Sequence, residues 1–117
     1  MYESVKEKIL SISVNEISIP SIVKAELLLG AYKSKNRKVS TEKVEQFLEP
    51  FEITSFDDLM MYVYAEIRLK TENHGEIVGP NDLFIVSIVK FNEGILVTHN
   101  LKEFKRIEGL KIEDWVR

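Results

Sequence analysis

The spacing of apolar residues along this chain changes period several times, and each change marks an element. Val5, Ile9 and Ile12 recur at helical intervals, which predicts an amphipathic helix over residues 2–13. EISI at 16–19 reads as a short strand, and Pro20-Ser21 opens a helix to Lys33 with Ser21 as its N-cap. The basic stretch SKNRKV (34–39) is a polar connection, and Ser40-Thr41 begins a short helix that runs to Leu48. FEITSF (51–56) is a strand; Asp57 and Asp58 follow it where a helix N-terminus favours negative charge. Met60, Val63, Tyr64 and Ile67 form the stripe of that next helix, with Gly75 just past its end. Gly79-Pro80 interrupts the chain before the most apolar helix, 82–92. ILVT (95–98) is a β-branched strand, then come a helical turn at 101–106 and a last strand at 110–113.

Strands alternating with helices predict an α/β fold, a parallel sheet covered by helices on both faces. LFIVSIVKF is apolar nearly all round, so its helix should be buried. No repeat, low-complexity segment or linker divides the chain, which reads as one domain over residues 1–117. In open sheets of this kind, sites form beyond the carboxyl ends of the strands.

Composition narrows the class. With 44% hydrophobic and 30% charged residues the chain is neither disordered nor membrane-bound. No apolar run approaches the roughly 20 residues that cross a bilayer, and the polar start MYESVKEKIL is unlike a secretory signal. The absence of cysteine excludes disulfides and thiolate zinc and fits a cytoplasmic protein. A net charge of −3 argues against a broad electrostatic hold on nucleic acid. A nuclease can still carry that charge, because clustered catalytic acids lower the total and bound metal partly cancels them.

Three carboxylates stand against apolar surroundings. Glu26 has Ile22 and Val23 one turn before it and Leu29 and Gly30 one turn after, so its helical face is expected to be apolar and buried. Asp82 follows Pro80 in the first turn of the buried helix; Glu103 sits in the turn after ILVT. All three lie near strand-to-helix junctions, hence at one edge of the sheet. Unpaired buried acids are costly, so such a set suggests a divalent-metal site. Each acid has a plainer meaning: Glu26 an ion-paired glutamate, Asp82 a partner of the helix dipole, Glu103 a solvated surface acid. His74 reads as a helix C-terminal residue and His99 as a strand-end residue near the site. The run Lys33, Lys35, Arg37 and Lys38 is a solvated loop or a guide for an RNA backbone. No nucleophilic serine arrangement and no glycine-rich phosphate loop is present.

The segments IPSIVKAELLLGAYKS and GPNDLFIVSIVKFNEGILVTHNLKEFKRIEGLKIEDWV, with the spacing between them, resemble PIN-domain ribonucleases, specifically VapC-type toxins of toxin–antitoxin pairs. The motifs are specific in combination: AEL with a small residue four positions after the Glu, a Pro-x-Asp opening an apolar helix, and LVT followed by an EF pair and a closing Trp. The resemblance implies a Mg²⁺- or Mn²⁺-dependent endoribonuclease restrained by a cognate antitoxin, often a homodimer. It places Glu26, Asp82 and Glu103 as metal-binding and catalytic acids, with His99 and Asn100 where other members carry an aspartate.

One departure accompanies it. The family opens on a central strand reading roughly L-L-D-T-N, whose aspartate binds metal, whereas the first aspartate here is Asp57. The expectation is a shortened PIN-like domain without that strand, with open sheet edges and impaired cleavage. Two alternatives stay open: a non-catalytic PIN-like protein-binding domain, and a plain α/β domain whose acids are structural.

Overall fold

A computed structural model describes residues 2–116 and has the expected alternation. Helix α1 (Tyr2–Ser11) leads through a 3₁₀ turn at Val14–Glu16 to β1 (Ser18–Pro20), and α2 (Ser21–Lys33) starts directly after that strand. Helix α3 (Arg37–Leu48), β2 (Glu52–Thr54), α4 (Met60–Asn73) and α5 (Pro80–Phe91) follow. The chain closes with β3 (Ile95–Val97), α6 (Leu101–Phe104) and β4 (Lys111–Glu113).

Two helix starts differ from expectation. Pro20, not Ser21, is the N-cap of α2; its fixed φ suits the entry and it makes no side-chain cap bond. Helix α3 begins at Arg37, inside the expected loop, because the Asn36 side chain accepts a hydrogen bond from the Val39 N–H at 3.2 Å. Asp57 caps the approach to α4 as its charge suggested, its Oδ1 accepting from the N–H groups of Leu59 and Met60. Gly75 terminates α4 at φ 71°, a conformation that favours glycine.

Among the described residues the sheet is two parallel pairs, β1 with β2 and β3 with β4, with no ladder joining them. Helix α5 packs on β1 and β3, one strand from each pair, and also on α2 and α4. Its Leu83, Ile85, Val86, Ser87 and Ile88 are buried, and the Ser87 hydroxyl is satisfied by donating to the Leu83 carbonyl. The core gathers round it: Ile67 from α4, Leu96 from β3, Phe104 from α6, and Val78 and Ile107 from adjoining loops. Phe84 stacks on Tyr64 at 5.1 Å and meets Phe56 edge-on at 4.9 Å, tying α5 to α4 and to the end of β2.

Helix α3 packs chiefly on α2. The two form an arm, and the radius of gyration of 15.2 Å exceeds the roughly 13 Å of a compact chain this long. Ser4 Oγ donates to the Trp115 carbonyl at 2.8 Å, so α1 is anchored to the chain's far end.

Candidate active site

Helix α2 brings Glu26 towards the N-terminus of α5, where the Asn81 amide donates to Glu26 Oε1 at 2.9 Å. Asp82 is the next residue, half-buried in the first turn of α5. Gly79 serves as N-cap without a side chain, and a β-carbon there would stand 4.0 Å from Asp82 Oδ2, so the carboxylate folds back over the turn. Glu103, on α6, is half-buried and paired with Arg106, whose Nη2 donates to Glu103 Oε1 at 2.9 Å.

Electrostatics link the three. Burial pushes the Asp82 carboxyl above the usual aspartate range, and the charges of Glu103 and then Glu26 push it further. Asp82 thus feels the charge of both other acids. The arrangement departs from the sequence reading in two respects. Glu26 is exposed, not buried on an apolar face. Ile22 and Val23 turn to the core, while Leu29 and Gly30 face solvent because α3 covers only part of α2. Asp82 also follows no strand: α5 succeeds α4 through the loop 74–79.

Arg106 and Asn81 are the residues that sequence reasoning passed over. Arg106 also donates from Nη2 to the Ile77 carbonyl at 3.0 Å and from Nε to the Glu103 carbonyl at 3.3 Å. One guanidinium thus fastens α6 to the loop that feeds α5. The signals were faint, an i,i+3 Glu–Arg pair in EFKR and an amide beside the acid in PND.

Each histidine has a partner of its own. His74 caps α4 through the Lys70 carbonyl at 2.6 Å, as expected. His99 pairs with Asp114 at 3.0 Å; the Val116 backbone N–H, then His99, hold the Asp114 carboxyl below its ordinary range. In the basic connection, Arg37 lies 3.7 Å above the Tyr32 ring. A cleft of about 290 Å³ shares Arg106 with this neighbourhood and opens between α4, the end of α5 and the segment after α6. Lys70, Lys90 and Arg106 line it against Glu66, Glu76 and Glu108, which leaves no net charge to draw a phosphate.

The oxygen donors suit a hard cation such as Mg²⁺ or Mn²⁺, and the raised Asp82 is the acid a cation would restore to its charged form. Among the described residues, no three acids or histidines already stand close enough to hold an ion. Three carboxylates repel one another, and the outer two are drawn to Asn81 and Arg106. The donor set fits the cation in kind, while its spacing is open.

The model of the PIN domain family matches residues 2–110. The chain is 44% identical to ribonuclease VapC2 of Rickettsia felis over 101 residues, 86% of this chain and 75% of that protein. It is 33% identical to the tRNA(fMet)-specific endonuclease VapC of Salmonella typhimurium over 113 residues, 97% of this chain and 85% of that protein. In structure it resembles the DNA-bound VapBC of Salmonella typhimurium with a TM-score of 0.92 at 32% identity, over 97% of this chain and 86% of that one.

Proposed function

Because this chain belongs to the PIN-domain family, as a VapC-type toxin ribonuclease of a toxin–antitoxin system, we propose that it hydrolyses RNA phosphodiester bonds with Mg²⁺ or Mn²⁺ held by Glu26, Asp82 and Glu103. The observation that carries this reading is the Asn81–Glu26 hydrogen bond of 2.9 Å, which brings Glu26 of α2 to the turn of α5 that carries Asp82; the charges of Glu103 and Glu26 add to burial in raising the Asp82 carboxyl. When bound, the cation would activate a water and offset charge building on the phosphate. Asp82 and Glu26 would supply the principal ligand oxygens, and Glu103 would orient the water or hold a second ion. Asn81 and Arg106 keep the outer acids in place, and the N-terminus of α5 favours the clustered negative charge.

Residues 1–117 act in this reading as one PIN-like domain, and the packing of β1, β3, α2 and α4 round the single helix α5 supports that.

A cognate antitoxin and a second copy of the chain are the proposed protein partners. Large apolar side chains on the outer faces support this: Leu29 on α2 is 53% exposed and Tyr62 on α4 is 72% exposed. The name of the Salmonella relative makes tRNA(fMet) the first substrate to try. Incubation of labelled tRNA with the chain and Mn²⁺ should give discrete fragments, suppressed by EDTA and absent for Asp82→Asn. Brisk cleavage indifferent to EDTA would overturn the reading. The open acid set also supports a second one, a PIN-like binding protein without activity; antitoxin binding with no fragments at any Mn²⁺ concentration would favour it.

A further inference from the structure

We propose that the tip of the α2–α3 arm is a docking site for an RNA backbone, where Lys33, Lys35 and Lys38 meet phosphates and the stacked Tyr32–Arg37 pair receives a base. The inference rests on the RNA-cleaving reading above and deepens it, by naming where the substrate is held away from the acids.

Charge is spread unevenly along this chain. Residues 27–41 hold four of its 16 basic residues and none of its 19 acids. With a net charge of −3 overall, the rest of the chain therefore carries −7. Phosphates are repelled by that remainder and drawn to the arm, and salt confines the attraction to about 10 Å. Lys33, Lys35, Arg37 and Lys38 are all exposed, and among the described residues none of them is in an ion pair. Glu42 and Glu45 stand further along α3 and share a shallow cleft with Tyr32, Arg37 and Lys38, yet neither closes on a cation. The basic charge is left for a partner.

The turn at the tip is fixed by its own hydrogen bonds. Ser34 Oγ lies 2.7 Å from the Ala31 carbonyl and 2.7 Å from the Ser40 hydroxyl, and Asn36 caps α3. The Arg37 guanidinium lies 3.7 Å from the centre of the Tyr32 ring, and Tyr32 is 47% exposed. Unstacked RNA bases settle on aromatic rings and on guanidinium planes, so this pair is a platform already in place. An acidic protein segment would use the charge but has no need of a stack. RNA is the occupant that both features favour.

Helix geometry joins the arm to the acids. Glu26, Gly30 and Lys33 fall at i, i+4 and i+7 of α2, on one face. Lys33 stands about 10 Å from Glu26 along the axis, at 1.5 Å per residue. A β-carbon at Gly30 would meet nothing within 4 Å, so the face between them is open for a strand to cross.

Binding of labelled tRNA to the full chain, read by fluorescence anisotropy in EDTA between about 50 and 200 mM KCl, tests this without calling on the metal. Each phosphate contact adds about 0.7–0.9 to the slope of log affinity against log salt, so Lys35→Gln with Lys38→Gln should lower that slope by about 1.5. The same two lysines changed to arginine should keep it. Arg37→Lys preserves the charge and removes the stacking plane; it should keep the slope and weaken binding at least about 5-fold. All variants should melt near wild type, because these side chains are exposed. Slope and affinity unmoved by the glutamine pair and by Arg37→Lys would overturn the proposal, and weakened antitoxin capture in those variants would then give the arm to a protein partner. A slope lost in the arginine pair would overturn it equally, by making the arm's shape and not its charge responsible. Binding that follows the arm's charge in a chain that cuts no RNA with Mn²⁺ would keep the proposal and overturn the nuclease reading alone.

Discussion

Helices α2 and α5 are both rich in leucine, isoleucine and valine, and each carries one acid of the candidate site, yet they meet opposite fates. Helix α5 is enclosed by strands from both sheet pairs and by α2 and α4, and its Val86 is fully buried. Helix α2 is covered by α3 on one side and leaves Leu27, Leu29 and Tyr32 exposed. Apolar composition says that a face should be covered; it does not say by what. For α5 the cover is within the chain, and for α2 the exposed leucines point to a partner.

The sharpest way to break that contrast is to truncate one leucine on each helix. Leu83→Ala in α5 leaves a cavity in a packed core and should cost about 2–5 kcal/mol of unfolding free energy. Leu29→Ala in α2 should stay within about 0.5 kcal/mol. Urea denaturation read by circular dichroism compares the two, and equal losses would mean that the α2–α3 arm is as much core as α5.

A change of similar size is expected in activity with little change in fold. Glu26→Gln, Asp82→Asn and Glu103→Gln should each lower Mn²⁺-dependent RNA cleavage at least about 10–100-fold while keeping the native spectrum. Glu103→Gln separates the acids further: a smaller loss there than at Asp82 would confine the principal ligands to α2 and α5.

A charged residue on the open face tests the partner. Leu29→Lys and Tyr62→Lys should weaken self-association or antitoxin capture, measured by light scattering and titration with purified antitoxin, while urea midpoints stay near wild type. A midpoint that falls as far as that of Leu83→Ala would show those side chains serving the fold and not an interface.

The smallest effect is on pH dependence. The Asp82 carboxyl is raised in the folded chain, so the native state keeps this proton longer than the unfolded state does. Its contribution makes metal-free stability fall as pH climbs from the ordinary aspartate range, about 4, through the raised value. Asp82→Asn should flatten that slope and leave the metal-free protein slightly more stable at neutral pH. Asp114 works the other way: its lowered carboxyl adds stability above the ordinary range, which is lost as pH falls through the depressed value. Urea midpoints at several pH values distinguish the two, and a slope unaffected by Asp82→Asn would remove that acid from the account.

Much of this protein was determined by its sequence. Helical and strand periods, the turn at Gly75, the break at Gly79-Pro80 and the dipole-compatible Asp57 are local signals, set by backbone sterics and by hydrogen bonds within a few residues. They located the elements to within a few positions, and Glu26, Asp82 and Glu103 stood out because charge is rare beside such apolar runs. Asn36 was the local signal that escaped notice, and α3 began three residues early because of it.

What only the tertiary structure decided is everything that depends on residues far apart. Glu26 is exposed although its helix packs on α3 and α5, and the two strand pairs share no ladder although α5 packs on a strand of each. The Asn81–Glu26 contact spans 55 positions, and Arg106 reaches back 29 positions to Ile77. Periodicity reports which face of an element is apolar, because that is written within the element. It cannot report what will cover the face or which distant amide will take one oxygen of an acid, because those depend on how the chain closes on itself.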